Sequence, residues 1–265
     1  MTFALTFPTI DPVLIDFGTI GGFPLAIRWY GVMWMAGCLA AWRWVVQYFK
    51  RLPGMVEKKH IDDFLVWTVL ATVIGGRVGY GLFYSGDNFS FFQIWQGGLS
   101  FHGGLIGVIV AVIVFVKLRK LPFWAFSDAV ACAAPLGLFT VRIANFINGE
   151  LYGRVTDVSW GMVFPGGGPD PRHPSQLYEA FLEGIVLFVV LNLLARNEKI
   201  RNRPGLLTGL FMLGYAAARG SVELVRQPDA HLGVLAFGMT MGQWLSIPVL
   251  LFGLYLLFRP HKAAQ

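Results

Sequence analysis

The fold class is decided by the run GLSFHGGLIGVIVAVIVFV, residues 98–116, and by the basic tetrapeptide KLRK, residues 117–120, that follows it. The run contains no Asp, Glu, Lys or Arg. A helix that crosses the hydrocarbon core of a bilayer needs about 20 mostly apolar residues. The run therefore predicts a membrane-spanning helix that ends in a basic loop.

The composition of the whole chain agrees with a membrane protein. Of its 265 residues 55% are hydrophobic and only 14% are charged, and the mean hydropathy is +0.60. Soluble domains carry about 25% charged residues. The net charge of +6 does not indicate nucleic-acid binding, because the basic residues form short clusters between apolar runs. We predict an all-α polytopic membrane helix bundle that binds membrane lipid and no nucleic acid.

A scan for apolar runs of spanning length predicts about seven transmembrane helices in one integral membrane domain, residues 1–265. The predicted spans lie near 26–47, 63–84, 98–116, 123–147, 177–195, 205–225 and 235–258. No internal repeat is evident, which argues against a transporter built from inverted halves.

The loops alternate in charge. Thirteen of the 21 basic residues lie in one set of loops: Lys50, Arg51, Lys58, Lys59, Lys117, Arg119, Lys120, Arg196, Lys199, Arg201, Arg203, Arg259 and Lys262. The opposite set holds Arg154, Arg172 and Arg226. Since basic loops face the cytoplasm, we predict the N-terminus outside and the C-terminus inside.

Two segments are expected on the outer face. Residues 1–25 should form an arm, because residues 1–20 lack the basic start and the cleavage site of a signal peptide. Residues 149–175 form the longest loop and contain PGGGP at 165–169, which predicts a small folded cap. The two cysteines, Cys38 and Cys132, lie inside apolar runs and are interpreted as packing residues.

Three arginines occupy positions where charge is costly. Arg77, Arg142 and Arg219 lie several residues inside predicted spans, in the outer half. An Arg at mid-bilayer costs at least about 2.5 kcal/mol. The guanidinium fork binds phosphate, so one shared recess for a phospholipid headgroup is the first interpretation. The second is that these arginines pair with Asp or Glu on neighbouring helices and hold the bundle together.

Further polar residues cluster near the outer ends of the spans. Arg142, Asn145 and Asn148 share a helix face, and Glu150 follows Gly149, which can end the helix. His102 precedes two glycines and is either a structural residue or a proton acceptor.

Two other polar segments carry open alternatives. Arg219 and Glu223 are spaced for a salt bridge, and Arg226 follows. The run HPSQLYE, 173–179, opens the fifth span, where His173 or Ser175 either caps the helix or serves a site. A serine hydrolase is disfavoured, because no G-x-S-x-G motif accompanies Ser175.

These segments together resemble the prolipoprotein diacylglyceryl transferase family. The family signature is G-R-x-G-N-F-x-N-x-E-x-x-G, and residues 141–153 read VRIANFINGELYG. Val141 and Ala144 depart from the signature glycines. The resemblance extends to Arg28–Gly31, Gly75–Tyr80, His102–Leu105, His173–Glu179 and Arg219–Asp229, and so covers most of the chain in order.

The resemblance implies a chemistry and a set of roles. Phosphatidylglycerol would donate a diacylglyceryl group to the lipobox cysteine of a preprolipoprotein in the bacterial inner membrane, at a site facing the periplasm. The catalytic residues would be His102 as base and Arg142 and Arg219 on the phosphate. The substrate-binding residues would be Tyr30, Arg77, Asn145, Asn148, Glu150, Gly153, Glu223 and Arg226. No cofactor and no metal are expected. The rivals are a lipid or anion transporter and a scaffold membrane protein.

Overall fold

The computed structural model describes residues 5–20, 23–83, 91–92, 98–228, 233 and 235–260. The helices are Trp29–Phe49 (α1), Lys58–Phe83 (α2), Phe101–Arg119 (α3), Phe123–Ile147 (α4), Ser175–Glu179 (α5), Leu187–Arg196 (α6), Glu198–Arg201 (α7), Leu206–Val222 (α8) and Met241–Phe258 (α9). A π-helical segment, Ala180–Val186, joins α5 to α6, and a 3-10 turn, Ala236–Gly238, precedes α9. The strands are Leu5–Thr6 (β1), Val13–Ile20 (β2), Phe23–Arg28 (β3) and Met162–Val163 (β4).

The apolar helices confirm the predicted polytopic membrane fold. Within the described residues, five stretches are long and apolar enough to cross a membrane: Lys58–Leu82, Phe101–Arg119, Phe123–Ile147, Ser175–Arg196 and Met241–Phe258. The apolar helix α8 is shorter. Helix α1 has 21 residues but includes Arg43 and several Trp and Tyr residues. The count of seven spans and the orientation remain predictions.

The first predicted span, 26–47, is wrong at its start. Strand β3 pairs antiparallel with β2, with Arg28 opposite Val13. The helix begins only at Trp29, whose backbone N–H donates to the Pro12 carbonyl at 3.0 Å. The apolar residues of β3 resemble the start of a helix in a hydropathy window, but the strand ladder takes up their backbone hydrogen bonds.

Two other helix starts also differ from the predicted spans. Helix α2 begins at Lys58 rather than near 63, and the ion pair of Lys58 with Asp62, at 2.6 Å, links its first two turns. Helix α9 begins at Met241 rather than near 235, because Thr240 and Gln243 form a capping box. Polar side chains therefore set both boundaries.

The chain divides into two compact units, residues 42–129 and residues 1–41 with 130–265. In the unit 42–129, α2 and α3 pack backbone to backbone. A Cβ added to Gly79 would lie 2.8 Å from the Cα of Gly103, and the reverse distance is 2.9 Å. Small residues permit such close packing of membrane helices.

In the other unit, small residues also join the helices. A Cβ on Gly209 of α8 would lie 3.0 Å from the Gly253 carbonyl oxygen of α9. Strand β1 pairs in parallel with β4 of the 149–175 segment. The Phe7 ring packs on Phe146 and Phe164, with centroid distances of 5.3 and 5.2 Å. The N-terminal segment and the cap thus pack together at the end of α4.

Candidate active site

The polar centre of the unit formed by residues 1–41 and 130–265 is the carboxylate of Glu179, which is fully buried. Its Oε2 lies 2.8 Å from Arg142 Nε. Its Oε1 accepts hydrogen bonds from Arg219 and, at 3.0 Å, from Arg226. The three arginine side chains are only 10%, 13% and 9% exposed. Guanidinium groups from α4, from α8 and from the segment after α8 therefore meet at one residue of α5.

A second carboxylate, that of Glu183, follows within the π-helical segment. It is fully buried, and its Oε2 accepts a hydrogen bond of 3.4 Å from Arg142. Gly184 permits the close approach of this segment to α4, since a Cβ there would lie 2.7 Å from Phe139 Cβ. Close helix packing thus brings Arg142 to two buried acids, as a buried cation requires.

A third carboxylate completes the group. Glu223 forms an ion pair with Arg219, and its Oε1 lies 3.9 Å from Arg226 Nε. The Thr240 hydroxyl donates to Glu223 Oε2 at 2.6 Å. The predicted Arg219–Glu223 salt bridge is therefore confirmed.

We call these six residues the arginine–glutamate cluster: Arg142, Arg219, Arg226, Glu179, Glu183 and Glu223. Its three cations and three anions balance formally. The predicted pairing of buried arginines with acidic residues is observed for Arg142 and Arg219, which both pair with acids on other helices. This pairing does not exclude a ligand, because a guanidinium carries five N–H donors and the ion pairs use only some of them.

Helix α4 ends just before Gly149, as the sequence predicts, and the polar side chains around this end bond to one another. Helix α4 ends at Ile147, and Gly149 adopts a φ of 65° that turns the chain. Glu150 Oε1 then accepts hydrogen bonds from Asn145 at 2.8 Å and from Asn148 at 3.1 Å. Two amides and one carboxylate form a compact polar group.

The first turn of α5 is anchored to the same turn. The Gln176 side chain donates to the Glu150 carbonyl, and the Ser175 hydroxyl donates to the Leu151 carbonyl at 2.9 Å. Pro174 occupies the N-cap position, without a side-chain cap, so neither His173 nor Ser175 caps α5. The serine hydrolase alternative gains no support, because the Ser175 hydroxyl is engaged with a carbonyl.

Gly153 connects the cap to the cluster. Its N–H donates to the His173 carbonyl at 2.8 Å, and it forms a β-bridge with Arg226. A Cβ at this position would lie 2.6 Å from the Val225 carbonyl oxygen. Arg154 Nε donates to the Arg226 carbonyl at 3.0 Å. The backbone at Arg226 is therefore held by the cap, and only glycine fits at 153.

Tyr30 lies in the first turn of α1 and is 39% exposed. Its hydroxyl is within electrostatic range of Glu150 and Arg142. The structure thus brings together nine of the residues that the sequence analysis proposed: Tyr30, Arg142, Asn145, Asn148, Glu150, Gly153, Arg219, Glu223 and Arg226.

The other two proposed residues, Arg77 and His102, belong to the unit 42–129. Arg77 is buried and donates from Nε to the Phe91 carbonyl and from Nη1 to the Gly98 carbonyl, both at 3.0 Å. It therefore links α2 to the backbone at Phe91 and Gly98. His102 lies in the first turn of α3 and is exposed. The centroid of its ring lies 5.6 Å from that of the Phe101 ring.

The cap contains His173, whose pKa is shifted by its surroundings. Its Nδ1 lies 3.2 Å from the Tyr178 hydroxyl. Partial burial lowers the pKa of His173, and the charge of Asp157 opposes this. Within the described ranges, no three His, Cys, Asp or Glu side chains are grouped as metal ligands.

Glu179 and Glu183 were not predicted as members of the site. Both lie in the fifth predicted span, where an acidic residue is as costly as an arginine. Their spacing of four residues puts them on one helix face. Arg142 pairs with both of them from α4. That spacing was a usable signal, whereas the identity of the partners was not.

A sequence model of the prolipoprotein diacylglyceryl transferase family matches residues 16–259, a range that includes α1 to α9 and the whole arginine–glutamate cluster. The chain belongs to this family. Prolipoprotein diacylglyceryl transferases similar to it over nearly their full length come from several bacteria.

Relatives that carry the name phosphatidylglycerol–prolipoprotein diacylglyceryl transferase include the following bacterial proteins. The protein of Paramagnetospirillum magneticum is 53% identical over 263 residues, covering 97% of this chain and 96% of the relative. That of Rhodospirillum rubrum is 49% identical, covering 99% and 97%. That of Allorhizobium ampelinum is 49% identical, covering 98% and 93%. Membership of the prolipoprotein diacylglyceryl transferase family therefore applies to the chain as a whole.

Proposed function

We propose that this protein transfers the diacylglyceryl group of phosphatidylglycerol to the lipobox cysteine of a preprolipoprotein. The thiolate sulfur attacks the carbon of the diacylglyceryl group that is bonded to the phosphate oxygen. The new C–S bond is a thioether, the C–O bond to the phosphate breaks, and its electron pair leaves with glycerol phosphate. The thiol proton passes to His102, directly or through a water. Family membership and the names of the relatives support this reaction.

The observation that carries the proposal is the convergence of Arg142, Arg219 and Arg226 in a buried place. A departing phosphate gains negative charge in the transition state, and preorganised cations stabilise that charge most when water is excluded. Two unit charges 4 Å apart attract by about 4 kcal/mol at an effective dielectric constant of 20, against about 1 kcal/mol in water. Guanidinium groups also bind phosphate in a bidentate way.

The glycerol headgroup and the thiol need other partners. Asn145, Asn148 and Glu150 offer amide donors and a carboxylate acceptor suited to glycerol hydroxyls. Tyr30 can hydrogen-bond an oxygen of the headgroup or of the leaving group. His102 is proposed as base because a neutral imidazole accepts protons near neutral pH. Arg77 is proposed to support the binding of the phosphate by Arg142 and Arg219.

We also propose a location. The protein spans the bacterial inner membrane with the N-terminus outside, the C-terminus inside and the active site towards the periplasm. The alternation of basic and weakly charged loops supports this orientation. In a variant without Cys38 and Cys132, a membrane-impermeant maleimide should label Gly166→Cys in intact spheroplasts, whereas Lys199→Cys should react only after lysis. The reverse labelling would contradict the orientation.

The test of the reaction uses purified protein in detergent with phosphatidylglycerol and a peptide that contains a lipobox cysteine. Mass spectrometry should show a diacylglyceryl adduct on this peptide and none on its Cys→Ser counterpart. Arg142→Ala should slow adduct formation by at least about a hundredfold. Arg51→Ala, at an exposed position of a basic loop, is the matched control and should have no effect.

Three outcomes would contradict parts of the proposal. Absence of any adduct with the wild-type protein would remove the transfer reaction. Full turnover by Arg142→Ala would remove the phosphate role of that arginine, and full turnover by His102→Gln would remove the base.

A further inference from the structure

We infer that Glu179 is a positioning residue for the transfer reaction: its carboxylate holds Arg142, Arg219 and Arg226 in the arrangement that receives the lipid phosphate. The inference rests on the proposed function and deepens it. It assigns a role to a residue that is not itself expected to touch the substrate.

Glu179 links parts of the cluster that the other acids do not link. Glu183 pairs with Arg142, and Glu223 pairs with Arg219 and Arg226. Of the carboxylates in the described part of the chain, Glu179 is the one that forms ion pairs with all three arginines. Its Oε2 contacts Arg142 of α4, and its Oε1 contacts Arg219 of α8 and Arg226.

Three guanidinium groups do not stay together without a counter-charge. Like charges in a buried place repel strongly, and each long side chain loses rotamer freedom when it is held in one geometry. A carboxylate among them removes the repulsion and orders them before the lipid arrives. Donors that are ordered in advance need no rearrangement during the reaction.

Glu179 is itself held firmly. The first turn of α5 is anchored by Ser175 to the Leu151 carbonyl and by Gln176 to the Glu150 carbonyl. The same Glu150 accepts hydrogen bonds from Asn145 through its side chain. The first turn of α5 and the proposed headgroup-binding residues are therefore held together. Through its ion pairs, Glu179 fixes the three arginines relative to these residues.

The first experiment compares Glu179→Gln with Glu179→Asp in the peptide assay. Gln keeps the shape but presents an NH2 group to the arginines, so kcat/KM for phosphatidylglycerol should fall about a hundredfold, as expected for misplaced catalytic groups. Asp keeps the charge and should recover about tenfold of that loss. Glu198→Gln, at a carboxylate that is 80% exposed and 3.5 Å from Arg201, should leave kcat/KM unchanged.

A double-mutant cycle separates positioning from mere structural support. If Glu179 acts through the arginines, Glu179→Gln should cost at least about tenfold less in an Arg142→Lys background than in the wild type. If Glu179 only supports the fold, the two losses should multiply and follow a lowered unfolding temperature. The second result would overturn the inference.

Three further outcomes are decisive. If Glu179→Gln does not fold, Glu179→Asp takes its place, and unchanged kcat/KM in a normally folded Glu179→Asp protein would overturn the inference. If Arg142→Lys and Arg219→Lys keep full activity, the proposed phosphate site fails. If those variants lose activity while Glu179→Gln keeps it, only the positioning role of Glu179 fails.

Discussion

Two arginine–carboxylate pairs in this protein have nearly the same length and lie in different environments. Arg142 and Glu179 are 2.8 Å apart, with side chains 10% and 0% exposed. Arg119 and Asp63 are 2.9 Å apart, with side chains 44% and 32% exposed. The first pair belongs to a network of six charged residues, and the second stands in one of the basic regions that the sequence predicts at the cytoplasmic side.

The difference shows that distance alone does not determine what an ion pair does. An exposed pair contributes about 0–1 kcal/mol, because water already solvates both charges. Removing one partner of a buried pair costs about 3–5 kcal/mol, because the remaining charge has no water to replace its partner. A buried network is retained at such a cost where function requires charge in a dry place.

The largest expected effect is that of breaking the buried network. Arg219→Ala leaves Glu179 and Glu223 each without one partner and should lower the free energy of unfolding by about 3–5 kcal/mol. Arg119→Ala, the matched change at the exposed pair, should cost at most about 1 kcal/mol. Denaturant unfolding in detergent measures both. Equal losses would mean that the cluster is solvated.

The next effect comes from the backbone that supports Arg226. Gly153→Ala puts a Cβ 2.6 Å from the Val225 carbonyl oxygen and 2.7 Å from His173 Cβ. The strained contact should cost about 3 kcal/mol and slow transfer, because Arg226 moves with its backbone. Gly137→Ala on α4, where a Cβ meets nothing within 4 Å, should be neutral or slightly stabilising. Normal turnover by Gly153→Ala would show that the cap does not position Arg226.

A smaller effect is expected at the edge of the network. Thr240→Val removes the hydrogen bond to Glu223 and the cap of α9, and should cost about 2 kcal/mol. Turnover should fall only a few-fold, since Glu223 keeps its pair with Arg219. Ser221→Ala, which loses a bond to the Ala217 carbonyl within α8, is the control and should change neither quantity. A Thr240→Val protein as stable as the control would place Glu223 in contact with water.

The smallest effect is a pH dependence in the cap. Burial lowers the pKa of His173 in the folded protein, whereas the unfolded chain keeps a value near about 6.5. The unfolded state therefore binds the proton more readily, and stability falls as the pH drops through that range. The unfolding temperature should decrease between pH 7.5 and 5.5 in the wild type and decrease less in His173→Asn. Identical decreases would assign the pH dependence to other groups.

The sequence predicted the fold class well and its boundaries less well. The uncharged run 98–116 corresponds to α3, and helix α4 ends just before Gly149 as expected. The hairpin of β2 and β3 was not predicted, because a hydropathy window scores the apolar residues of a strand in the same way as those of a helix. Strand pairing depends on a partner that the window does not contain.

The arginines and Glu223 of the candidate site were predicted from the sequence, whereas Glu179 and Glu183 were not. Arg142 and Arg219 are conspicuous because arginine is rare inside spans, and Arg226 follows directly after the span that contains Arg219. Glu179 lies 40 residues from Arg219 and 47 from Arg226 along the chain. No local pattern states which of several acids will meet which arginine over such separations.

What the sequence by itself determined is local: apolar runs long enough to span, basic loops between them, and motif residues at fixed spacing. These follow from the cost of placing polar groups in hydrocarbon, which each segment meets on its own. What only the tertiary structure decided is that Glu179 lies among three arginines and that Gly153 holds Arg226 to the cap. Both depend on how closely separate segments pack, and that is set by contacts between residues distant in the chain.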